Sequence, residues 1–396
     1  MRTIAVVGAS LAGVRAAQEL RAQGYAGRLV VVGAEAHQPY DRPPLSKDVL
    51  LGKATRAEIA LLDDGEVARL SAEMWLGVRA ERLVPPAGAL VLSTGSELPV
   101  DGVVIATGGV ARRLPGARGI RGVHVLRTLD DALALRADLL AGATRVAVVG
   151  GGFVGAEVAS SCHALGVPVT VIEALPVPLS RVLGERIGAV CADLHTDHGV
   201  DLRCGVSVAG LVSVPDGAGG RRVTAVELSD GGRVDADVVV VGVGMRPATE
   251  WLAGSGIAVD DGVLCDAGCV TRLPNVVAAG DVARYQADAT GRRVRHEHWS
   301  NAAATPATAV RNLLAGRTVA RHAADGYVWS EQYGVRIQFA GQVDPTGEVR
   351  FVDGAPADRR FVATYHRDGA VVGVLAFDSP RLFTKLRRQL AAIHAR

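Results

Sequence analysis

Cysteine is scarce: Cys162, Cys191, Cys204, Cys265 and Cys269 are the only five in 396 residues, and no two stand in Cys-x-x-Cys spacing. That set excludes a disulfide framework and fits a reducing cytoplasm, which is the expected location. Aromatic residues make up only 4% of the chain, which with its many glycines suggests tight strand-to-helix turns rather than a flexible polymer. No uninterrupted apolar run approaches the roughly 18–20 residues needed to cross a bilayer. The apolar stretch after Met1-Arg2 is broken by glycine turns and followed by a charged helix, so no secretion signal is expected. Neither sign of charge dominates. The 43 Lys and Arg residues against 41 Asp and Glu leave a net charge of +2, which implies neither a nucleic-acid nor a membrane partner.

What the chain has in quantity is glycine, 48 residues, within a composition that is 49% hydrophobic. Its length exceeds what one core usually holds, so two or three domains of α/β class are expected, rich in tight strand-to-helix turns. The opening stretch VVGASLAGVRAA shows such a turn. Ile4 to Val7 reads as a buried parallel strand, Gly8 makes the exit, and Leu11, Val14 and Leu20 recur at helical spacing. The pattern Gly8-x-Ser10-x-x-Gly13, with Ala12 inside it, is a dinucleotide fingerprint whose middle glycine is serine. That position must let backbone approach a pyrophosphate closely; serine is small, and its hydroxyl can itself donate to phosphate. A second strand, RLVVVG, ends near Glu35, where a carboxylate can accept from the adenosine ribose.

The same plan recurs at residues 145–174. Gly150-x-Gly152-x-x-Gly155, with Phe153 and Val154 completing the turn, follows one strand, and Glu173 closes the next. Two fingerprints imply two dinucleotides. Glu173 accepts from free ribose hydroxyls and repels a 2′-phosphate, which favours NADH over NADPH. Arg181, a few residues on, is either a second means of reaching a phosphate or a solvated loop charge. Two strands ending in glycine turns, DGVVIATGG and DVVVVGVGMRP with Gly244, alternate with the fingerprints, and NVVAAGDVARY then delivers Asp281.

This order resembles the two-dinucleotide flavoprotein reductases, the pyridine nucleotide-disulfide oxidoreductase superfamily, over about the first 320 residues. Disulfide-reducing members carry a cysteine pair before a comparable Ser-Lys. Here the stretch PYDRPPLSK, residues 39–47, has none, which excludes a thiol relay at that place. With RHEHWSNAA at 295–303 and VWSEQYG at 328–334, it is similar to the FAD-dependent, NADH-using ferredoxin reductases of the putidaredoxin-reductase and aromatic-ring-dioxygenase type. The chain departs from the family's pattern at Ser10, at Ala34 and at Val328, where the family more often has an aromatic.

The resemblance implies two Rossmann-like domains, with an NAD domain (111–242) inserted into a FAD domain (1–110 and 243–321), and a smaller α+β C-terminal domain (322–396). It places Lys47 by the flavin N5 edge, paired with Glu157, as the catalytic pair; the alternative is an ordinary salt bridge. Prolines 43 and 44 and a capping Ser46 would project Lys47 from a helix start. It assigns Arg42, Ala80, Arg127, Asp281 and Glu297 to FAD, sets Trp299 beside the ring system, and brings Trp329 close to the flavin from the C-terminal domain. Core packing is the alternative for both tryptophans. The implied activity is hydride transfer from NADH to non-covalent FAD, then single electrons to an acidic iron–sulfur ferredoxin. That ferredoxin would supply a haem monooxygenase or a ring-hydroxylating dioxygenase. Rubredoxin or nitrite-reductase-type electron transfer, and an apoptosis-inducing-factor-like sensor with incidental turnover, remain as other readings. The chain is expected to be a monomer or weak homodimer.

Past residue 322 the pattern changes to antiparallel strands with glycine turns and a helix from about 380. Arg292, Arg293, Arg295, Arg387 and Arg388 are candidates for steering an acidic partner, or solvated charge. His296-x-His298 has metal-like spacing but no further ligands nearby, so no metal is expected. Cys265 and Cys269 read as small buried residues.

Overall fold

Continuous β-branched runs form the centres of two parallel sheets, because a strand covered on both faces needs apolar side chains at every position. The computed structural model describes residues 1–84, 88–217, 219–287, 291–324, 326–343 and 347–394, and these fall into two compact units. One comprises residues 1–41, 56–110 and 246–326; the other comprises 42–55, 111–245 and 327–396.

In the first unit five parallel strands run in the order Val276–Ala278, Gly102–Ile105, Thr3–Val7, Arg28–Gly33, Glu73–Leu76. All four residues of Gly102–Ile105 are buried. The helix Leu11–Ala22 puts Leu11, Ala16, Ala17 and Leu20 into this core, and the helix Trp299–Ala315 adds Ala309, Val310 and Leu313.

The second unit repeats the sheet. Val123–Val125, Val238–Val241, Val146–Val149, Val169–Glu173 and Asp201–Cys204 are again all parallel. In both sheets a fingerprint strand occupies the centre, flanked by the strand that leads to an acidic residue, Glu35 or Glu173, and the strand that leads into a glycine turn.

The second unit also holds a five-stranded antiparallel sheet in the order Val328–Gln332, Val335–Gly341, Ala370–Phe377, Arg360–Arg367, Glu348–Ala355. Its period-two alternation serves two cores. Ile337, Phe339, Phe361, Tyr365 and Phe377 pack against Leu183, Ile187, Val190 and Leu194 of the 180–197 helices. The intervening Ala340, Val362, Val374 and Ala376 pack against Phe383 and Leu390 of the helix Pro380–His394. Parallel dinucleotide sheets plus an α+β C-terminal element are the architecture expected above.

Candidate functional site

The first fingerprint is shaped by backbone approach. Gly8 has φ +117, and a Cβ there would lie 2.1 Å from the carbonyl oxygen of Ala106. A Cβ on Gly13 would lie 1.7 Å from the Gly8 carbonyl oxygen, so helix and turn touch through bare backbone. Ser10 occupies the N-cap position of the helix Leu11–Ala22 in extended conformation, φ −103 and ψ −167. Ala12 meets Gly280, where an added Cβ would fall 2.7 Å from the Ala12 methyl. The Gly280 N–H donates to Thr305 Oγ1 at 2.9 Å, which holds the turn carrying Asp281 against the helix Trp299–Ala315.

The second fingerprint reproduces the first. Gly150 has φ +102 with a virtual Cβ 2.5 Å from the Gly242 carbonyl oxygen, and that of Gly155 lies 2.0 Å from the Gly150 carbonyl oxygen. At Gly152 a Cβ would meet no protein atom within 4 Å, and the same holds at Gly244. Since the middle position has room for a side chain in this copy, a small residue there in the other copy is accommodated. Phe153 and Val154 open the helix Phe153–Ala164, and Val154 is exposed. Glu173 is buried; its Oε2 accepts from the Gly151 N–H at 2.7 Å and its Oε1 from the Leu175 N–H at 2.8 Å. Each carboxylate oxygen has a second lone pair for a ribose hydroxyl. Arg181 lies exposed in the short helix Ser180–Leu183, with no ion pair among the described residues.

The way these two helices begin fits phosphate binding. The helices Asp64–Leu70 and Leu129–Leu140 carry complete capping boxes, Asp63 with Glu66 and Thr128 with Asp131. Both fingerprint helices lack a side-chain cap bond and any acidic residue in the first turn. Their first N–H groups and positive dipole ends are thereby kept for an anion.

Around the first turn, Glu35 is half-buried and accepts from the hydroxyl of Tyr40. Ala80 begins the strand Ala80–Val84. Trp299 is the first residue of its helix, and its indole N–H donates to Asp41 Oδ1 at 2.8 Å. Glu297 is exposed and accepts from Arg295 Nη1 at 2.6 Å, while Arg295 also pairs with Asp261.

In the second unit Lys47 Nζ lies 2.8 Å from Glu157 Oε2, with the two side chains only 17% and 8% exposed. The Ser46 hydroxyl also donates to Oε2, and the Ser330 hydroxyl donates to Oε1 at 2.8 Å. Ser46 therefore does not cap a helix as expected. Pro43–Ser46 is a 3₁₀ turn, Lys47 itself is the N-cap of the short helix Asp48–Leu51, and the serine hydroxyl is drawn to a buried carboxylate, a stronger acceptor. Arg42 donates to the carbonyl oxygen of Arg127, whose own N–H donates to Asp131 Oδ2 at 3.1 Å. Trp329 is half-buried and stacks on Tyr327, with ring centroids 5.6 Å apart, and the Arg387 guanidinium lies 4.1 Å from the Tyr327 ring centroid.

No thiol is poised for redox work. Burial pushes Cys162, Cys191 and Cys269 up to about 12 and Cys265 well above its usual range, while Cys204 is raised by burial and by Glu173 beside it. The His296 and His298 rings stack on each other, and no metal-holding cluster occurs among the described residues. Four contacts escaped the sequence reading: those of Asp41, Tyr40, Ser46, which is read there as a helix cap, and Ser330. The first three lie inside PYDRPPLSK and the last inside VWSEQYG, so proximity to those motifs was the available signal.

The pattern of the family "Pyridine nucleotide-disulphide oxidoreductase" matches residues 2–305, and that of "Reductase C-terminal" matches residues 327–395. The ferredoxin reductase subunit of 5,5′-dehydrodivanillate O-demethylase from Sphingobium sp. (strain NBRC 103272 / SYK-6) is 38% identical, over 93% of this chain and 88% of its own length. The ferredoxin–NAD(+) reductase component of the biphenyl dioxygenase system of Paraburkholderia xenovorans (strain LB400) is also 38% identical, over 98% of this chain and 92% of its own. The reductase in a crystal structure of the covalent putidaredoxin reductase–putidaredoxin complex superposes with a TM-score of 0.91 at 32% identity, covering 98% of this chain and 93% of that one. With two fingerprint turns, no thiol pair beside Lys47 and a matching C-terminal sheet, the chain belongs to the pyridine nucleotide-disulphide oxidoreductases, in the ferredoxin reductase branch that carries the Reductase C-terminal domain.

Proposed function

We infer that the chain passes reducing equivalents from NADH, through FAD, to a ferredoxin. The observation that carries this reading is the pair of uncapped fingerprint helices in a chain that has no cysteine beside Lys47. FAD, when bound, supplies the conversion between hydride transfer and single-electron transfer. Residues 1–110 and 243–321 would hold it. The turn from Gly8 to Gly13 takes the pyrophosphate, Glu35 the adenosine ribose, and Asp281 the ribityl chain, with Arg42, Ala80, Arg127, Glu297 and Trp299 completing the contacts.

Residues 111–242 would hold NADH, its pyrophosphate on the Gly150–Gly155 turn and its ribose on Glu173. A 2′-phosphate would set a second negative charge against a buried carboxylate. The ammonium of Lys47, fixed by Glu157, would set the local charge at the reacting edge of the ring, and Trp329 would shield that edge from water. No residue of the chain needs to act as a nucleophile. The relatives' systems support a ferredoxin that feeds an oxygenase, either a haem monooxygenase or a ring-hydroxylating dioxygenase, as the downstream partner.

The test is anaerobic mixing of the FAD-loaded protein with NADH and a panel of purified ferredoxins and rubredoxins, following the acceptor's visible spectrum. Rapid reduction of at least one ferredoxin is expected. Rapid bleaching of the flavin by NADH with no acceptor reduced across the panel would overturn the electron-transfer reading in favour of a sensor.

A further inference from the structure

Glu157 is held at both carboxylate oxygens, by donors from two segments far apart in sequence. Oε2 takes Lys47 Nζ and the Ser46 hydroxyl, while Oε1 takes the Ser330 hydroxyl at 2.8 Å and the Glu331 N–H at 3.4 Å. Ser330 and Gln332 are fully buried, and Gln332 Nε2 donates to Ser330 Oγ at 3.1 Å. An amide NH₂ can only donate, so Ser330 accepts there and its single proton is directed at the carboxylate. Gln332 Oε1 has no partner, so this side chain is kept in a costly buried position by the one bond it makes to Ser330. Immediately after Gln332, the Tyr333–Gly334 turn is pinned to the helix Phe153–Ala164 that carries Glu157, where the Tyr333 N–H donates to Ser160 Oγ at 2.7 Å. Positions 157 and 160 lie on one helix face, so the strand Val328–Gln332 and its turn run along the face that presents Glu157.

We propose that Ser330, backed by Gln332, is a positioning residue for the Lys47–Glu157 pair: by occupying Oε1 it stops the carboxylate from turning and leaves Oε2 to fix the lysine ammonium. The strand that carries Trp329 thereby also sets the charge at position 47. A terminal carboxylate torsion is soft and roughly two-fold, so donors on one oxygen alone leave the group free to rotate. Removing Ser330 leaves Oε1 with only the long Glu331 bond. This inference rests on Lys47 acting at the flavin.

The experiment is stopped-flow flavin reduction by NADH in the wild type, Ser330→Ala, Glu157→Gln, the double variant and Lys47→Met, each loaded with FAD. Ser330→Ala is expected to lower the limiting reduction rate about tenfold, with the Kd for NADH changed by less than about twofold. In the Glu157→Gln background the same substitution should cost less than about twofold, because its route of action is already cut. Equal losses in both backgrounds, or a wild-type rate in Ser330→Ala, overturn the proposal. A wild-type rate in Lys47→Met would instead overturn the reading it rests on. If Ser330→Ala loses its flavin, Gln332→Met repeats the test with Ser330 in place. A loss of about threefold is then expected, and no change overturns the proposal.

Discussion

Glu173 Oε2 accepts the Gly151 N–H at 2.7 Å, so the acidic residue that ends one strand and the glycine turn that begins the preceding helix are one hydrogen-bonded piece. If Glu173 faces the ribose and this turn the pyrophosphate, as proposed, coenzyme choice and pyrophosphate binding are coupled. NADH should exceed NADPH in kcat/KM by about a hundredfold. Glu173→Ala should lower the NADH value by about tenfold or more while narrowing the ratio between the coenzymes, because the substitution removes both the repulsion and the anchor of the turn. Steady-state kinetics with both coenzymes decides it. An unchanged ratio would mean that Glu173 does not face the ribose.

Ser10→Gly should keep bound FAD and Ser10→Leu should lose it. The protein leaves room for a small side chain at the corresponding Gly152, yet a branched one would occupy the approach of the phosphates. Gly8→Ala is a harsher control, since φ +117 and an Ala106 oxygen 2.1 Å from the new Cβ forbid it outright. Flavin absorbance per chain after purification reads all three, and full flavin in the leucine variant would remove the turn from the FAD site.

The legible parts of this molecule were those with local causes. Gly8, Gly13, Gly150 and Gly155 are glycine because a neighbouring backbone oxygen lies far inside van der Waals contact of where a Cβ would sit, and a fingerprint records that constraint within a few residues. Glu157 was found through resemblance, but what surrounds it was not. Ser46 and Ser330 reach it from 111 and 173 residues away, and nothing in either local pattern distinguishes a serine bonded to a buried carboxylate from one that caps a helix or faces water. The Ser46 misreading has that origin: Pro-Pro-x-Ser before a short helix is a sound local capping signal, outcompeted by a tertiary acceptor.

Counting electrons separates this chain from a disulfide reductase. Anaerobic dithionite titration should complete at about two electrons per FAD. Iodoacetamide near neutral pH should leave Cys162, Cys191 and Cys269 unmodified in the native state, since burial holds them as neutral thiols up to about 12. Uptake of about four electrons, or loss of ferredoxin reduction on alkylating one cysteine with FAD retained, would reveal a thiol relay.

Acid should weaken the second unit through His195. This side chain is fully buried, its Nδ1 is 2.7 Å from the Tyr333 hydroxyl, and burial first, with nearby His198 second, pushes its pKa down from 6.5 to about 4. Between those values the unfolded chain binds a proton that the native chain refuses. Stability is therefore complete above about pH 6.5 and declines as pH falls toward about 4, by on the order of 3 kcal/mol in full. Thermal melts across that window should show the decline, and His195→Gln, which can still bond Tyr333, should flatten it. An equally steep decline in the variant would assign the acid sensitivity elsewhere.

In the strand Val328–Gln332 the even-numbered residues are buried and Trp329 and Glu331 are not. Ser330 and Gln332 therefore address the interior carboxylate, while Trp329 is presented to whatever arrives from outside, and only the two-residue repeat of an extended chain keeps those audiences apart. Such a segment is intolerant of counting. One residue inserted or deleted ahead of Val328 would turn the indole toward Glu157 and the serine toward solvent. Length, as much as composition, is what this hairpin must preserve.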